Sequence, residues 1–471
     1  MTTEIIQKNI LEKTLDAALS TQADFAEVFV EDCYTSLLTY RNQKADQVSS
    51  GTIFGAGIRV FFGKEVVYVT TNDLSEAGLI KAAKLAAQSR GAVQLPGQST
   101  DQNSRLQLVE KKLPSVHRFG VKPWEYSREK KFGWLKVIDQ YARSHSTDVT
   151  QVQAYFTEKF QKVQIANSKG TFVYDERPYS RIVADTMVER DGLKESMHSS
   201  EGHLGTAEFV ESIDLQRLAL ENVKSALTLL DAKHCPAGDM PVIIDHGFGG
   251  VLFHEACGHG LETTSVEKNA SVFCGKLGEK IANDCVTAID DGTLVNGWGS
   301  SVVDDEGNLT QKTVLIEKGV LKSYMVDEMG AIKTGYAITG SGRRNSYKFA
   351  PASRMRNTFI APGTDTFESM VKDIDYGLYA KKMGGGSVTP GTGDYNFQVT
   401  EAYLIRDGKL EEAVKGACLI GKGIDTLAKI VKVSSDLKID PGMCGSVSGM
   451  IPAACGQPQV MVSKLTVGGR A

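Results

Sequence analysis

Apolar positions in the first ninety residues change period twice. Ile6, Ile10, Leu11, Leu15, Ala18 and Leu19 recur at helical spacing and predict an amphipathic helix over 3–20. The alternation Ala26-Glu27-Val28-Phe29-Val30-Glu31-Asp32 then predicts a strand, continued by short strands at 36–40, 46–49 and 57–62. Gly63-Lys64 reads as a hairpin turn into 65–71, and Leu79, Ile80, Ala83, Leu85 and Ala86 mark a second helix over 75–90. The stretch 92–105, rich in Pro, Gly, Ser, Gln and Asn, reads as a connecting loop.

The same order then returns. A helix over 124–144 carries Phe132, Trp134, Leu135, Ile138 and Tyr141 on one side, and strands follow at 149–158, 160–167, 171–175, 180–189 and 194–202. Leu215, Leu218, Ala219, Val223, Ala226, Leu227 and Leu230 form the stripe of a helix over 207–230. This repeated helix and meander admits a duplicated unit. The breaker run Lys233-His234-Cys235-Pro236-Ala237-Gly238 sets a domain boundary, giving an N-terminal α+β domain over 1–235 and a mostly β domain over 236–471. In the second part, short strands are expected at 271–273, 286–289, 300–303, 312–317 and 320–326, with helices only at 367–376 and 424–429 besides the one described next.

That helix carries the chemistry. Met240-Pro241-Val242-Ile243-Ile244-Asp245 reads as a buried strand, His246 to Gly250 as a tight turn, and Val251-Leu252-Phe253 as a helix entry leading into His254-Glu255-Ala256-Cys257-Gly258-His259-Gly260-Leu261-Glu262. Two histidines flanking a glutamate suit a zinc hydrolase, in which neutral imidazoles hold the metal and an adjacent carboxylate, Glu255, activates water. The histidines stand five apart, not four. On a regular helix five residues turn about 500°, leaving the rings about 140° apart, so a π-type turn eased by Gly258 is expected.

Composition narrows the function classes. The chain has 471 residues, a formal net charge of −4 and no basic footprint, which disfavours direct nucleic-acid binding. No run of about 18 apolar residues predicts a membrane span. The N-terminus lacks a secretory pattern, and eight irregularly spaced cysteines read as reduced thiols, so a cytoplasmic protein is expected.

Other chemistry-bearing residues receive plainer readings. His198 and His203 face opposite sides of a strand and are expected as surface or packing residues; Cys257 and Cys455 are expected in the core. Asp290-Asp291-Gly292 and Asp304-Asp305-Glu306-Gly307 read as solvated turns without the calcium-loop pattern, and the Gly340 and Gly384 clusters do not open helices as a dinucleotide site would. Arg343 and Arg344 are expected on the surface, the alternative being contact with a peptide carboxylate or a developing oxyanion.

Together with Thr339-Gly340-Ser341-Gly342-Arg343-Arg344, Arg354-Met355, Asn357-Thr358 and Leu465-Thr466-Val467-Gly468-Gly469, the histidine motif and the 304–307 turn resemble the TldD/PmbA (TldE) family of metallopeptidases, in its TldD-type form. The resemblance covers essentially the whole chain. It implies a Zn2+-dependent peptidase acting on unfolded proteins or small peptides, paired with a TldE/PmbA-type paralogue or with itself. It also implies a metal set of His254, His259 and Cys444, the last from the match of Met443-Cys444-Gly445. The family's usual continuation after that cysteine is replaced here by Ser446-Val447-Ser448-Gly449-Met450, which puts neighbouring substrate contacts in question. Two other readings stay open: a deformylase-like metalloamidase acting on small amides, and a non-catalytic regulator that binds a partner such as gyrase.

Overall fold

A computed structural model describes residues 4–89, 106–111, 113, 117 and 119–469; the loop expected over 92–105 lies outside the described residues. The architecture is α+β. The N-terminal part runs α1 (Lys8–Ala18), β1 (Phe25–Arg41), β2 (Lys44–Phe62), β3 (Glu65–Thr71), α2 (Glu76–Gln88), β4 (Val109–Glu110), α3 (Arg128–His145), β5 (Val149–Asn167), β6 (Thr171–Arg190), β7 (Leu193–Leu204) and α4 (Leu215–Asp231). Its strands form one sheet in the order β3-β2-β1-β5-β6-β4, with β7 also on β6. Helix, three strands, helix therefore occurs twice, and antiparallel pairing of β1 with β5 from Glu27↔Asn167 to Arg41↔Gln153 joins the two meanders.

The short strands of the sequence reading merge into long ones. β1 has 17 residues and β2 has 19. They are linked through Asn42 and Gln43 at φ 47° and 66°, a left-handed pair that Asn favours but Gln does not advertise. The helical stripes do pack as their period requires. Leu11, Leu15, Leu79 and Ala83 close over Val28, Val30, Ile58 and Val60, while Leu218 and Val223 share a core with Phe156 and Ile182. The helix expected over 207–230 is divided, because Asp214 caps a fresh start by accepting the Arg217 N–H at 2.9 Å.

In the C-terminal part, strands Gly238–Ile244, Val460–Gly468, Ala417–Lys422, Asp394–Arg406 and Tyr376–Thr389 pair in sequence, and the last returns to the first. This closed ring has an apolar interior that includes Val242, Leu378, Phe397, Leu419 and Val462. A six-stranded sheet lies beside it and ends on the hairpin Lys438–Ser446 and Gly449–Gln457. Sequence reasoning missed the helix Glu328–Thr334, whose signals are Asp327, accepting Gly330 N–H at 3.0 Å, and left-handed Gly335 at φ 78°.

Two expectations fail between the two parts. The acidic turns are not solvated: Asp290, Asp291, Asp304, Asp305 and Glu306 are all buried, as are Arg343 and Arg344. Glu27 on β1, fully buried, accepts from Arg59 Nη2 at 2.8 Å and Arg344 Nη2 at 2.6 Å, and Arg59 reaches Glu306 at 2.7 Å. Arg177 on β6 bridges Asp175, at 2.9 Å, and Asp305. Asp305, Glu306 and Arg344, which look solvent-facing in one dimension, are thus paired across the interface, while Asp290, Asp291 and Asp304 accept hydrogen bonds from within the C-terminal part. Removing one partner of such a pair strands a buried charge, so the network fixes how the two parts dock.

Candidate metal centre

The motif helix leaves strand Gly238–Ile244 through a 3₁₀ turn at Gly247–Gly250, where Gly247 has φ 70° and a Cβ on Gly250 would meet the backbone of Gly456. Helix α5 (Val251–Ala256) packs Leu252, Phe253 and Ala256 into the core shared with the strand ring. It does not continue through a π-type turn. Cys257 leaves helical dihedrals at φ −127°, ψ −47°, and a separate 3₁₀ turn, Gly258–Leu261, carries His259. The break achieves what the bulge was expected to do, setting the two imidazoles with centroids 5.3 Å apart and planes at 88°. Gly258 is needed for packing, since a Cβ there would overlap the Met355 sulfur.

Cys444 comes from the edge hairpin of the neighbouring sheet. Its Sγ lies 3.3 Å from His254 Nε2 and 3.3 Å from His259 Nε2. The donor atoms of His254, His259 and Cys444 all lie within 4.8 Å of one another, the only such grouping of three or more His, Cys, Asp or Glu side chains among the described residues. Burial raises the Cys444 thiol, but hydrogen bonds to both imidazoles outweigh it and bring the thiol down to about 5. Burial likewise opposes charging of His259, yet the Glu262 carboxylate and Cys444 push its pKa well above the usual histidine value. Two imidazole nitrogens and a thiolate meeting at one point fit a zinc ion and leave its fourth position free.

Glu262, which sequence reasoning quoted without assigning a role, stands behind His259. Its Oε2 is 3.0 Å from His259 Nδ1, and its Oε1 accepts the Met355 N–H at 3.2 Å. A carboxylate there fixes the ring's tautomer and turns Nε2 toward the thiolate. The available signal was its position three residues after His259. Arg354, fully buried, has Nε 3.9 Å from Glu262 Oε1 and donates from Nη2 to the Cys444 carbonyl at 2.7 Å. It ties the carboxylate behind one imidazole to the strand bearing the thiol. His254 Nδ1 is buried without a partner among the described residues.

Glu255 lies one residue after His254, partly exposed, with Oε2 3.7 Å from His259 Nε2. With His254, Cys444 and Cys455 it lines a cleft of about 1030 Å³, whose other walls include Arg181 and Glu201 of the N-terminal sheet, Glu221 of α4, and Lys381, Lys382 and Glu401. Cys455 is buried, and burial pushes its thiol up; it lies on Gly449–Gln457 rather than on the final strand. Cys257 is a fully buried core residue with a thiol also raised by burial. His198 pairs with Asp185 at 2.6 Å, and His203 stacks on Phe209, so neither joins the centre. Arg343 and Arg344 do not line this cleft.

Three family models match the chain: PmbA/TldA metallopeptidase domain 1 over 26–90, central domain over 121–230 and C-terminal domain over 237–469. Among curated relatives, "Metalloprotease TldD homolog" of Haemophilus influenzae is 36% identical, covering 88% of this chain and 86% of that protein. "Zinc metalloprotease TldD homolog" of Saccharolobus solfataricus is 26% identical, covering 95% of this chain and 97% of that protein. Among solved structures, TldE from Thermococcus kodakarensis superposes with a TM-score of 0.75 at 19% identity over 98% of this chain and 100% of its own length, a likeness of fold. Among the described residues no helix is long and apolar enough to cross a membrane.

Proposed function

Since the chain belongs to the PmbA/TldA metallopeptidase family, we propose that it is a zinc-dependent peptidase that cleaves unfolded proteins or small peptides, with His254, His259 and Cys444 holding the metal. The observation that carries this reading is the convergence of both Nε2 atoms on the Cys444 sulfur at 3.3 Å, in the wall of the cleft. Zinc in such a set supplies Lewis acidity, polarising a scissile carbonyl and acidifying water. Glu255 takes the proton released as water attacks and passes it to the leaving amine. Arg354 and Glu262 keep the donor groups oriented throughout. A cleft of about 1030 Å³ with charged walls supports an extended peptide over a small amide.

Pairing with a TldE/PmbA-type paralogue, or with a second copy, is part of the proposal. Exposed Met443, Val447, Met450 and Phe349 gather at the hairpin that bears Cys444, an apolar surface suited to a subunit contact. All eight cysteines are unpaired, which supports a reducing compartment, the cytoplasm. The test of the chemistry is Glu255→Gln. The variant should retain stoichiometric zinc and lose hydrolysis of an unstructured peptide, since geometry survives while the base does not. Cleavage at the parent's rate would exclude Glu255 as the base.

A further inference from the structure

Against the Cys444 hairpin lies a second, much smaller space. It has room for a single species about the size of a water molecule, about 10 Å³. We propose that this void binds one small monovalent anion of the chloride type.

Its lining is cationic. Lys159, Arg177, Arg343, Arg344 and Arg356 face one carboxylate, Asp305. That carboxylate is already engaged, because Arg177 bonds to it and it accepts the Arg344 backbone N–H at 2.6 Å. The other two arginines find only neutral oxygens. Arg343 Nη1 donates to the Met355 carbonyl at 2.7 Å, and Arg356 donates to the carbonyls of Gly340 and Gly299 and to the Ser301 hydroxyl.

The hydrogen-bond inventory points the same way. Arg356 Nη2 and Arg344 Nε are buried without an acceptor among the described residues, although Arg356 is 2% exposed and Arg344 3%. Leaving a charged donor buried and unpaired is costly, and both donors belong to side chains that line the void, where an anion would supply negative charge. Burial first, and the charge of Arg356 second, also draw the Arg343 guanidinium down to about 10. Lys159 and Pro452, the lining residues that keep some exposure, form the mouth through which an ion enters.

The site has a structural consequence. Pro452 and Ile451 form part of its lining, and in the hairpin they pair with Met443 and Cys444. An anion held by the arginines would therefore lie against the strand paired with the one that carries the thiol. The inference does not depend on whether the three donors bind zinc.

Crystals of the full chain grown without halide and soaked in bromide provide the direct test. An anomalous bromine peak within the void, bounded by Arg343 and Arg356, is the expected result. In solution, thermal unfolding of parent and Arg343→Gln would be followed as chloride replaces methanesulfonate at constant ionic strength. Chloride at ten times its dissociation constant should raise the parent's folding equilibrium constant about elevenfold, saturably, and leave the variant unmoved. If Arg343→Gln fails to fold, the bromide experiment on the parent decides alone. A void that refines as water, or a chloride response equal in parent and variant, overturns the proposal.

Discussion

Replacing Glu262 by glutamine tests whether the centre is held from behind. The carboxylate offers one oxygen to each of two donors, His259 Nδ1 at 3.0 Å and Met355 N at 3.2 Å. Glutamine keeps the shape but has a single oxygen, so one donor must face an NH₂ group instead. The negative charge beside the imidazole, which Arg354 Nε also approaches at 3.9 Å, disappears as well. Hydrogen-bonded partners behind metal-bound histidines contribute about 10- to 100-fold in metal affinity. At about 1.36 kcal/mol per decade that is about 1.4–2.7 kcal/mol of zinc binding. Glu262→Ala should cost the fold as well, because both donors would be buried unpaired at about 1–3 kcal/mol each. Zinc competition against a chelator, read beside urea unfolding of the metal-free protein, separates the two effects. A glutamine variant that holds zinc as tightly as the parent would refute the argument.

The remaining expectations concern the thiols, their pH dependence and the interface. Cys444→Ser should lower zinc content and peptide hydrolysis together, while Cys455→Ser, altering a buried thiol outside the donor group, should leave zinc content intact; metal analysis of the two variants with the reverse outcome would reassign the ligand. In the metal-free protein the thiolate absorbance should titrate with a midpoint near 5 and vanish in Cys444→Ser, whereas a midpoint near 9.0 would mean that the imidazoles do not stabilise it. Because this pKa is depressed on folding, its contribution to stability is complete above 9.0, diminishes as pH falls below that value, and is lost as pH passes through about 5. Glu27→Ala leaves Arg59 and Arg344 without their shared carboxylate and should destabilise the protein by about 3–5 kcal/mol in urea unfolding; a loss below about 1 kcal/mol would mean that the pairs contribute no net stability.

The sequence by itself determined what depends on residues a few positions apart. The stripes of α1, α2 and α4 were readable because a helix face repeats within one or two turns, and the strand, glycine turn and helix that deliver His254 were readable for the same reason. The five-residue interval even announced that the helix could not be regular. How it is relieved was not readable, since breaking at Cys257 and packing Gly258 on Met355 depend on a segment nearly a hundred positions away. Cys444 had no local signal: it is 185 residues from His259, and its place rested on family resemblance until the edge hairpin set its sulfur against both rings. The misread arginines and acidic turns follow the same rule. Alternation and turn propensity report on neighbours in the chain, whereas burial of Glu27, Arg344 and Asp305 is decided by which surfaces meet when the two parts dock.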